Sequence, residues 1–268
     1  MKSASINSAT VPQDYTTVTE IGGAEASEEQ IARAAQRYYW AGTYCRDCDV
    51  LEIACGVGQG LGYLAGLARS VHAGDITPAL VQKAQAHYGT RIEINEMDAL
   101  ALPFPARSLD VVIIFEALYY LSSSDRFVDE CIRVLRPGGH VLVANANKDL
   151  YDFNPSPFST AYHGVIELRA LFEPRGFTCE FFGNSPLAKI SLRQRVIRPL
   201  KKLAVSAGLI PKTMTGKKLL KRLVFGQLKP MPAEIDAATA ANVPATPLTP
   251  DQPTRDFKVL FMDAKLAS

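Results

Sequence analysis

Two hydrophobic periods alternate along this chain, and together they outline its elements. Val50-Leu51-Glu52-Ile53-Ala54 is a short apolar run broken by one acid, which predicts a buried strand, and Leu61, Tyr63, Leu64, Leu67 and Ala68 then recur at helical spacing. Upstream, Ser27-Glu28-Glu29-Gln30 has the form of a capping box, predicting a helix to about Ala41 with Ile31, Ala34, Ala35 and Tyr38 on one face. Downstream the alternation repeats. Ser70 to Asp75 reads as a strand, Pro78 opens a helix to about Tyr88, and Arg91 to Glu96 reads as a third strand. Leu109 to Phe115, LDVVIIF, is nearly all apolar, as a strand buried on both faces must be. A helix from about Asp125 to Leu135, a turn at Pro137-Gly138-Gly139, a strand at His140 to Ala144, a helix at Val165 to Phe172 and strands at Phe177 to Phe182 and Phe257 to Met262 complete the pattern.

This rhythm predicts an α/β, doubly wound, mostly parallel sheet of seven strands. Ligands of such sheets bind outside the carboxyl ends of the strands, beside strand one. There the chain places Gly56, Gly58 and Gly60 at alternate positions between strand and helix. Glycines let backbone approach a ligand where a Cβ would clash, and the following helix offers free N–H groups. The run alone also suits a nicotinamide or flavin binder, or an empty tight turn. Four acids narrow the choice: Glu52 within the first strand, Asp75 after the second, Asp98 after the third and Glu116 after the fourth. They suit ribose hydroxyls, an amino group and an adenine, and would repel a pyrophosphate.

With those residues in view, the chain resembles a class I S-adenosylmethionine-dependent methyltransferase. Residues 50–60 resemble the first motif, an acid followed by GxGxG, and Asp75 stands where the family keeps its ribose-binding acid. Met97-Asp98-Ala99 resembles the pair beside the adenine, and Ser108 to Val112 and Arg133 to Gly139 resemble later signature runs. The likeness covers residues 50 to about 182 and extends also to bacterial small-molecule methyltransferases with an ACGxGxG motif and a Glu-Ala-Leu-Tyr-Tyr-Leu run, a type often found with saccharide or natural-product pathways. It implies a Rossmann-like methyltransferase sheet, S-adenosylmethionine as cofactor, and a cofactor site drawn from Glu52, Ala54, Gly56, Gly58, Gly60, Asp75, Ile76, Asp98, Ala99, Phe115 and Glu116. Ala54 departs from the family, where many relatives carry glycine, so a small change of the turn is expected.

Methyl transfer from a sulfonium is an in-line displacement in which the protein supplies alignment and a dry site. A hydroxyl acceptor also needs a base. Tyr119, Tyr120, Asn147, Asp149, Tyr151, Tyr162 and His163 follow strands four and five, where the acceptor should sit. His163, as base, and Tyr120 are the catalytic candidates, because imidazole titrates near neutrality. A helix-cap or surface role is the plainer reading of His163. No metal site is assigned: Cys45-Arg46-Asp47-Cys48 has no second pair to complete four zinc ligands, and the loop at Asp149 offers too few carboxylates. Tyr151 to Thr160 is rich in proline and aromatics, as a pocket wall or an ordinary crossover loop would be. Arg37-Tyr38-Tyr39-Trp40 reads equally as helix packing and as a lid over the glycine turn.

Composition adds one asymmetry. The 268-residue chain has a net charge of +2, yet Lys189 to Lys229 holds twelve Lys or Arg and no Asp or Glu, leaving the remainder near −10. Helices over Pro199 to Ala207 and Thr215 to Phe225 are expected there, the latter with Leu219, Leu220, Leu223 and Val224 opposite Lys217, Lys218, Lys221 and Arg222. Three roles compete for the stretch: a cover over the acceptor pocket that attracts a phosphate-bearing acceptor, a peripheral contact with an anionic membrane, and nucleic-acid binding. The last ranks lowest, since base-stacking aromatics are not interleaved. The expected organisation is an irregular segment 1–24, a methyltransferase domain at 25–186 and 256–268, a basic helical insertion at 187–235 before the last strand, and an Ala/Thr/Pro linker at 236–255. Five cysteines and the lack of a signal peptide or membrane-length apolar run fit a reducing cytoplasm, with any membrane contact at its inner face. The function implied is methylation of a small molecule, with a hydroxyl of a sugar, glycolipid or natural product as acceptor. The alternatives are a membrane-associated lipid methyltransferase and a non-catalytic cofactor-binding partner.

Overall fold

A computed structural model describes residues 14–156, 158–187 and 228–268 of the chain. Its centre is a sheet of eight strands, in spatial order Glu93–Glu96, Ser70–Asp75, Asp49–Ile53, Leu109–Phe115, Leu135–Ala146, Phe257–Leu266, Phe177–Pro186 and Thr246–Leu248. Reading along the chain, α1 (Glu28–Cys45) precedes β2 (Asp49–Ile53), and α2 (Leu61–Ala65) leads to β3 (Ser70–Asp75). Then come α3 (Pro78–Tyr88), β4 (Glu93–Glu96), β5 (Leu109–Phe115), α4 (Ser124–Val134) and β6 (Leu135–Ala146), followed by α5 (Val165–Phe172), β7 (Phe177–Pro186), β9 (Thr246–Leu248) and β10 (Phe257–Leu266). β2, β3, β4, β5 and β6 are joined by parallel ladders, whereas β10 runs antiparallel to both β6 and β7.

Side-chain alternation on β5 shows why the sheet is covered on both faces. Val111, Ile113 and Phe115 join one apolar cluster with Ala34, Ala35 and Tyr38 of α1, while Val112 and Ile114 join another with Phe127 and Val128 of α4 and Val165 and Leu168 of α5. The capping box at Ser27 forms as expected: its Oγ accepts from the Gln30 N–H, and Gln30 Oε1 accepts from the Ser27 N–H. The cluster Arg37 to Trp40 divides between its two readings. Trp40 stacks on Phe261 at 4.8 Å and Tyr39 packs against Tyr63, whereas Arg37 and Tyr38 turn toward a cavity.

Among the described residues the sheet has eight strands, not seven. The additional one is β9, where Thr246-Pro247-Leu248 pairs with Phe181 to Gly183 at the sheet's edge. Three residues containing a proline carry no alternation to read, and proline is tolerated in a strand at an edge. The surrounding segment is fastened to α1: the Gln36 side-chain amide donates to the Ala241 carbonyl and accepts from the Val243 N–H, and the Tyr39 hydroxyl donates to the Asp236 carbonyl. A second, two-stranded sheet pairs β1 (Glu25–Ser27) with β8 (Leu228–Pro230). β6 is longer than expected because Pro137-Gly138-Gly139 lies within it, at a register shift against β5 and with Gly138 at φ 78°. The two basic helices expected between Pro199 and Phe225 lie outside the described residues.

Candidate active site

A cavity of about 810 Å³ opens at the carboxyl ends of β2, β3, β5 and β6. Its volume is in the range of small-molecule sites. One half is built on the β2 turn. Ala54 holds φ 57° and Gly56 φ 60°, which bends the chain sharply after Ile53. Asp75 locks the bend: its Oδ2 accepts from the Gly56 N–H at 2.9 Å and its Oδ1 from the Thr77 N–H at 2.8 Å. Burial nonetheless raises its pKa. Each oxygen retains a lone pair for a hydroxyl of a ligand. Beyond it Ile76 is 43% exposed on the wall, beside Met97, Asp98, Ala99 and Leu100.

Glu52 is the most unusual group here. It is 2% exposed, its Oε1 accepts from the Tyr38 hydroxyl at 2.8 Å, and its Oε2 is buried without a partner among the described residues. Desolvation pushes its pKa up to about 7, opposed by the Tyr38 hydrogen bond and the Arg37 charge. An orphaned carboxylate oxygen in a cavity wall calls for a donor from a ligand.

The other half lies past β5 and β6. Glu116, at φ 52°, accepts on Oε2 from the Ala146 N–H at 3.0 Å and from the Tyr119 hydroxyl at 3.1 Å. Tyr119 stacks on Tyr162 at 4.2 Å, Tyr120 packs edge-on against it, and Tyr15 leans on Tyr120 at 5.1 Å. Burial pushes the Tyr119 hydroxyl well up, so it remains a donor.

The wall therefore gathers Glu52, Ala54, Gly56, Asp75, Ile76, Asp98, Ala99, Phe115, Glu116 and Tyr120. It does not gather Gly58, Gly60 or His163. Added Cβ atoms at Gly58 and Gly60 would meet Leu61 at 2.7 Å and the Tyr38 ring at 2.0 Å, so these glycines make room for the protein's own side chains. His163 sits apart, near Glu167, Asp125 and Lys148, with its Nδ1 buried and without a partner among the described residues and its pKa lowered by burial. A base must reach its proton, and this position gives no support to that role. Tyr120 donates to Ser156 Oγ at 3.0 Å, and burial raises its pKa, which makes it a neutral donor in the wall. Asn147 is held by the Thr254 and Phe257 carbonyls. All five cysteines are free, and no cluster of metal-ligating side chains occurs among the described residues.

Tyr15, Thr19, Arg33, Gln59 and Lys258 also line the cavity and were not singled out from the sequence. Arg33 and Arg37 are four apart on α1, so helical spacing was the available signal for Arg33. Nothing local marks Tyr15 or Lys258. The left-handed Ala54 gives a direct test of the turn. An L-residue there costs roughly 1–2 kcal/mol, partly offset by the extra freedom glycine loses on folding. Ala54→Gly should thus raise stability by up to about 1 kcal/mol, read as an increase of a few degrees in Tm.

A family described as a methyltransferase domain matches residues 51–143. A probable S-adenosylmethionine-dependent methyltransferase of Mycolicibacterium smegmatis is 34% identical over 184 residues, covering 62% of this chain and 71% of that protein. A phthiotriol/phenolphthiotriol dimycocerosates methyltransferase of Mycobacterium leprae is 39% identical over 102 residues, 36% of this chain and 37% of that one. Among solved structures, the YcgJ protein of Bacillus subtilis superposes with a TM-score of 0.57 at 16% identity, covering 87% of this chain and 98% of that one, a likeness of fold alone.

Proposed function

The chain belongs to the class I S-adenosylmethionine-dependent methyltransferases, and from that premise we propose that it methylates a hydroxyl oxygen of a small molecule seated beside Glu116. The observation that carries this reading is the division of one cavity into a half furnished for the cofactor and a half closed by tyrosines around a single fixed carboxylate.

The residues fit the cofactor. Glu52 Oε2, buried and unpartnered, would accept from its amino group. Asp75 would receive the ribose hydroxyls, since it lines the cavity and each of its oxygens accepts only one hydrogen bond from the turn it locks. Ile76, Met97, Ala99 and Leu100 offer an apolar slot for the adenine, with Asp98 at its rim. When bound, S-adenosylmethionine supplies an electrophilic methyl group on a sulfonium, and the protein need only align an acceptor with it. Glu116 is then in position to take the hydroxyl proton on Oε1, while the Ala146 N–H and the Tyr119 hydroxyl hold Oε2. The positive φ of Glu116 fits a residue whose surroundings override its backbone preference at a functional site. Tyr15, Tyr119 and Tyr120 would exclude water from the acceptor. The relative named for phthiotriol and phenolphthiotriol compounds supports an acceptor of this chemical kind.

The test is a screen of phenols, sugars, glycolipids, amines and thiols with methyl-labelled cofactor. Transfer to a hydroxyl class should fall by about 10²-fold or more in Glu116→Gln, the usual scale for general-base removal, with little change in S-adenosylhomocysteine affinity. Transfer to a thiol or amine that ignores this substitution would refute the oxygen assignment.

A further inference from the structure

Residues 231–236, which follow β8, form a strap against the turn between β2 and α2. Its contacts there are to Gln59, which is 8% exposed and lines the cavity. The Gln59 carbonyl accepts from the Ile235 N–H at 2.6 Å, and its side-chain amide donates to the Pro232 carbonyl at 3.2 Å. The same strap holds the N-terminal segment. The Gly23 N–H donates to the Met231 carbonyl and the Met231 N–H to the Ala24 carbonyl, each at 2.8 Å, next to the β1–β8 ladder. That segment supplies Tyr15, Val18, Thr19 and Glu20 to the cavity wall, and the Thr19 methyl lies 2.9 Å from where a Cβ on Gly56 would stand. One strap thus joins two stretches that face the cavity.

Glu234 fastens the strap. Its carboxylate lies 2.9 Å from Nε2 of His87, on the last turn of α3, and accepts from Arg91, just beyond that helix, at 3.0 Å. The Arg91 guanidinium also sits over the Tyr88 ring at 4.9 Å. The Tyr88 hydroxyl in turn donates to the Gly58 carbonyl at 2.6 Å and accepts from the Gly62 N–H at 3.2 Å. The stretch from Gly58 to Gly62 is therefore held by Tyr88 and, through Gln59, by the strap. Glu234 needs Gly62 bare, because a Cβ there would lie 1.6 Å from its Oε1 and 2.4 Å from its Cδ. Glu234, His87 and Arg91 themselves stand outside the cavity wall. Ion pairs as exposed as these add little to global stability, so the effect of Glu234 is local.

We infer that the strap is a clasp on the cofactor site and that Glu234 is a positioning residue for cofactor binding. It keeps Pro232 and Ile235 on Gln59, and through Met231 it keeps the N-terminal segment over the turn. This rests on the reading that the turn binds the cofactor. Coupling of this kind is reciprocal. The cofactor must therefore tighten the clasp by the factor by which the clasp tightens the cofactor.

Calorimetric titration with S-adenosylhomocysteine and residue-resolved hydrogen exchange test the inference. Glu234→Ala should weaken S-adenosylhomocysteine about fivefold or more, with Tm lowered by no more than a few degrees. Glu234→Gln, which keeps an acceptor oxygen for Arg91, should recover part of the affinity. Gly62→Ala favours the helix by intrinsic propensity yet displaces the Glu234 carboxylate, so it should weaken the ligand to a similar extent. The two alanine substitutions together should cost no more affinity than either alone. In the unaltered protein, S-adenosylhomocysteine should slow exchange of the Met231 and Ile235 amides, a readout that needs no variant to fold. Unchanged affinity in Glu234→Ala, additive effects of the pair, or strap amides indifferent to the ligand overturns the inference. So does a loss of affinity that comes only with loss of protection throughout the sheet. Failure of the unaltered protein to bind S-adenosylhomocysteine would instead remove the reading beneath it.

Discussion

S-adenosylhomocysteine should bind about tenfold more tightly at pH 8 than at pH 6, and Glu52→Gln should flatten that dependence. The argument starts from burial. Glu52 is 2% exposed on a central strand, and desolvation raises its pKa from 4.5 to about 7. In the free protein it is therefore about one tenth ionised at pH 6 and about nine tenths at pH 8. A ligand ammonium beside Oε2 favours the ionised form, so binding expels a proton at low pH and none at high pH. Affinity then rises through the titration and levels off above it. The sign for folding runs the other way. A carboxyl whose pKa is higher folded than unfolded contributes stability below about pH 4.5 that is lost as pH rises through about 7, on the order of 3 kcal/mol. Cofactor should offset that loss, so its stabilisation of the protein should also grow with pH. At pH 8, Glu52→Gln removes a charge-assisted bond and should cost about 10- to 100-fold in affinity. Calorimetric titrations at several pH values decide the matter, and a slope that persists in Glu52→Gln would assign the proton to another group.

How far such a site can be read in advance depends on what each residue answers to. The central strand β5 was legible because burial on two faces leaves an unmistakable apolar run, LDVVIIF. Asp75, Asp98 and Glu116 were legible because the chain must place something at each strand's carboxyl end. β1, β8 and β9 were not: each is three residues long, and pairing with a distant segment decides its conformation more than local pattern does. Tyr15 and Lys258 reach the cavity through tertiary placement alone. The three alternate glycines looked like one device, yet the structure divides them. Gly56 lies in the cavity wall, and Gly58 and Gly60 accommodate neighbours brought by α1, α2 and α3. His163 is a further case. Its residue type fits the chemistry, but the helix that follows it packs under the sheet with α4 and leaves the imidazole out of the cavity wall.

Gly60→Ala should be strongly destabilising. A Cβ there would lie 2.0 Å from the ring of Tyr38, which is 7% exposed and packs edge-on against Phe115. The ring is not a loose end that can swing aside, since its hydroxyl is committed to Glu52 Oε1. Overpacking of this kind costs about 1–3 kcal/mol, and displacement of the ring adds the loss of a buried hydrogen bond to a carboxyl that already lacks a partner on its other oxygen. Gly60, Tyr38 and Glu52 thus act as one unit that links α1 to the cofactor turn. Denaturant titration should show the loss directly, and S-adenosylhomocysteine affinity should fall with it. The double variant Gly60→Ala with Tyr38→Ala separates clash from chemistry. Removing the ring should recover part of the stability, a coupling of about 1 kcal/mol or more between neighbours, while cofactor affinity remains low because Glu52 is no longer held. Strict additivity of the two substitutions would show that the Tyr38 ring does not bear on Gly60 in the folded protein.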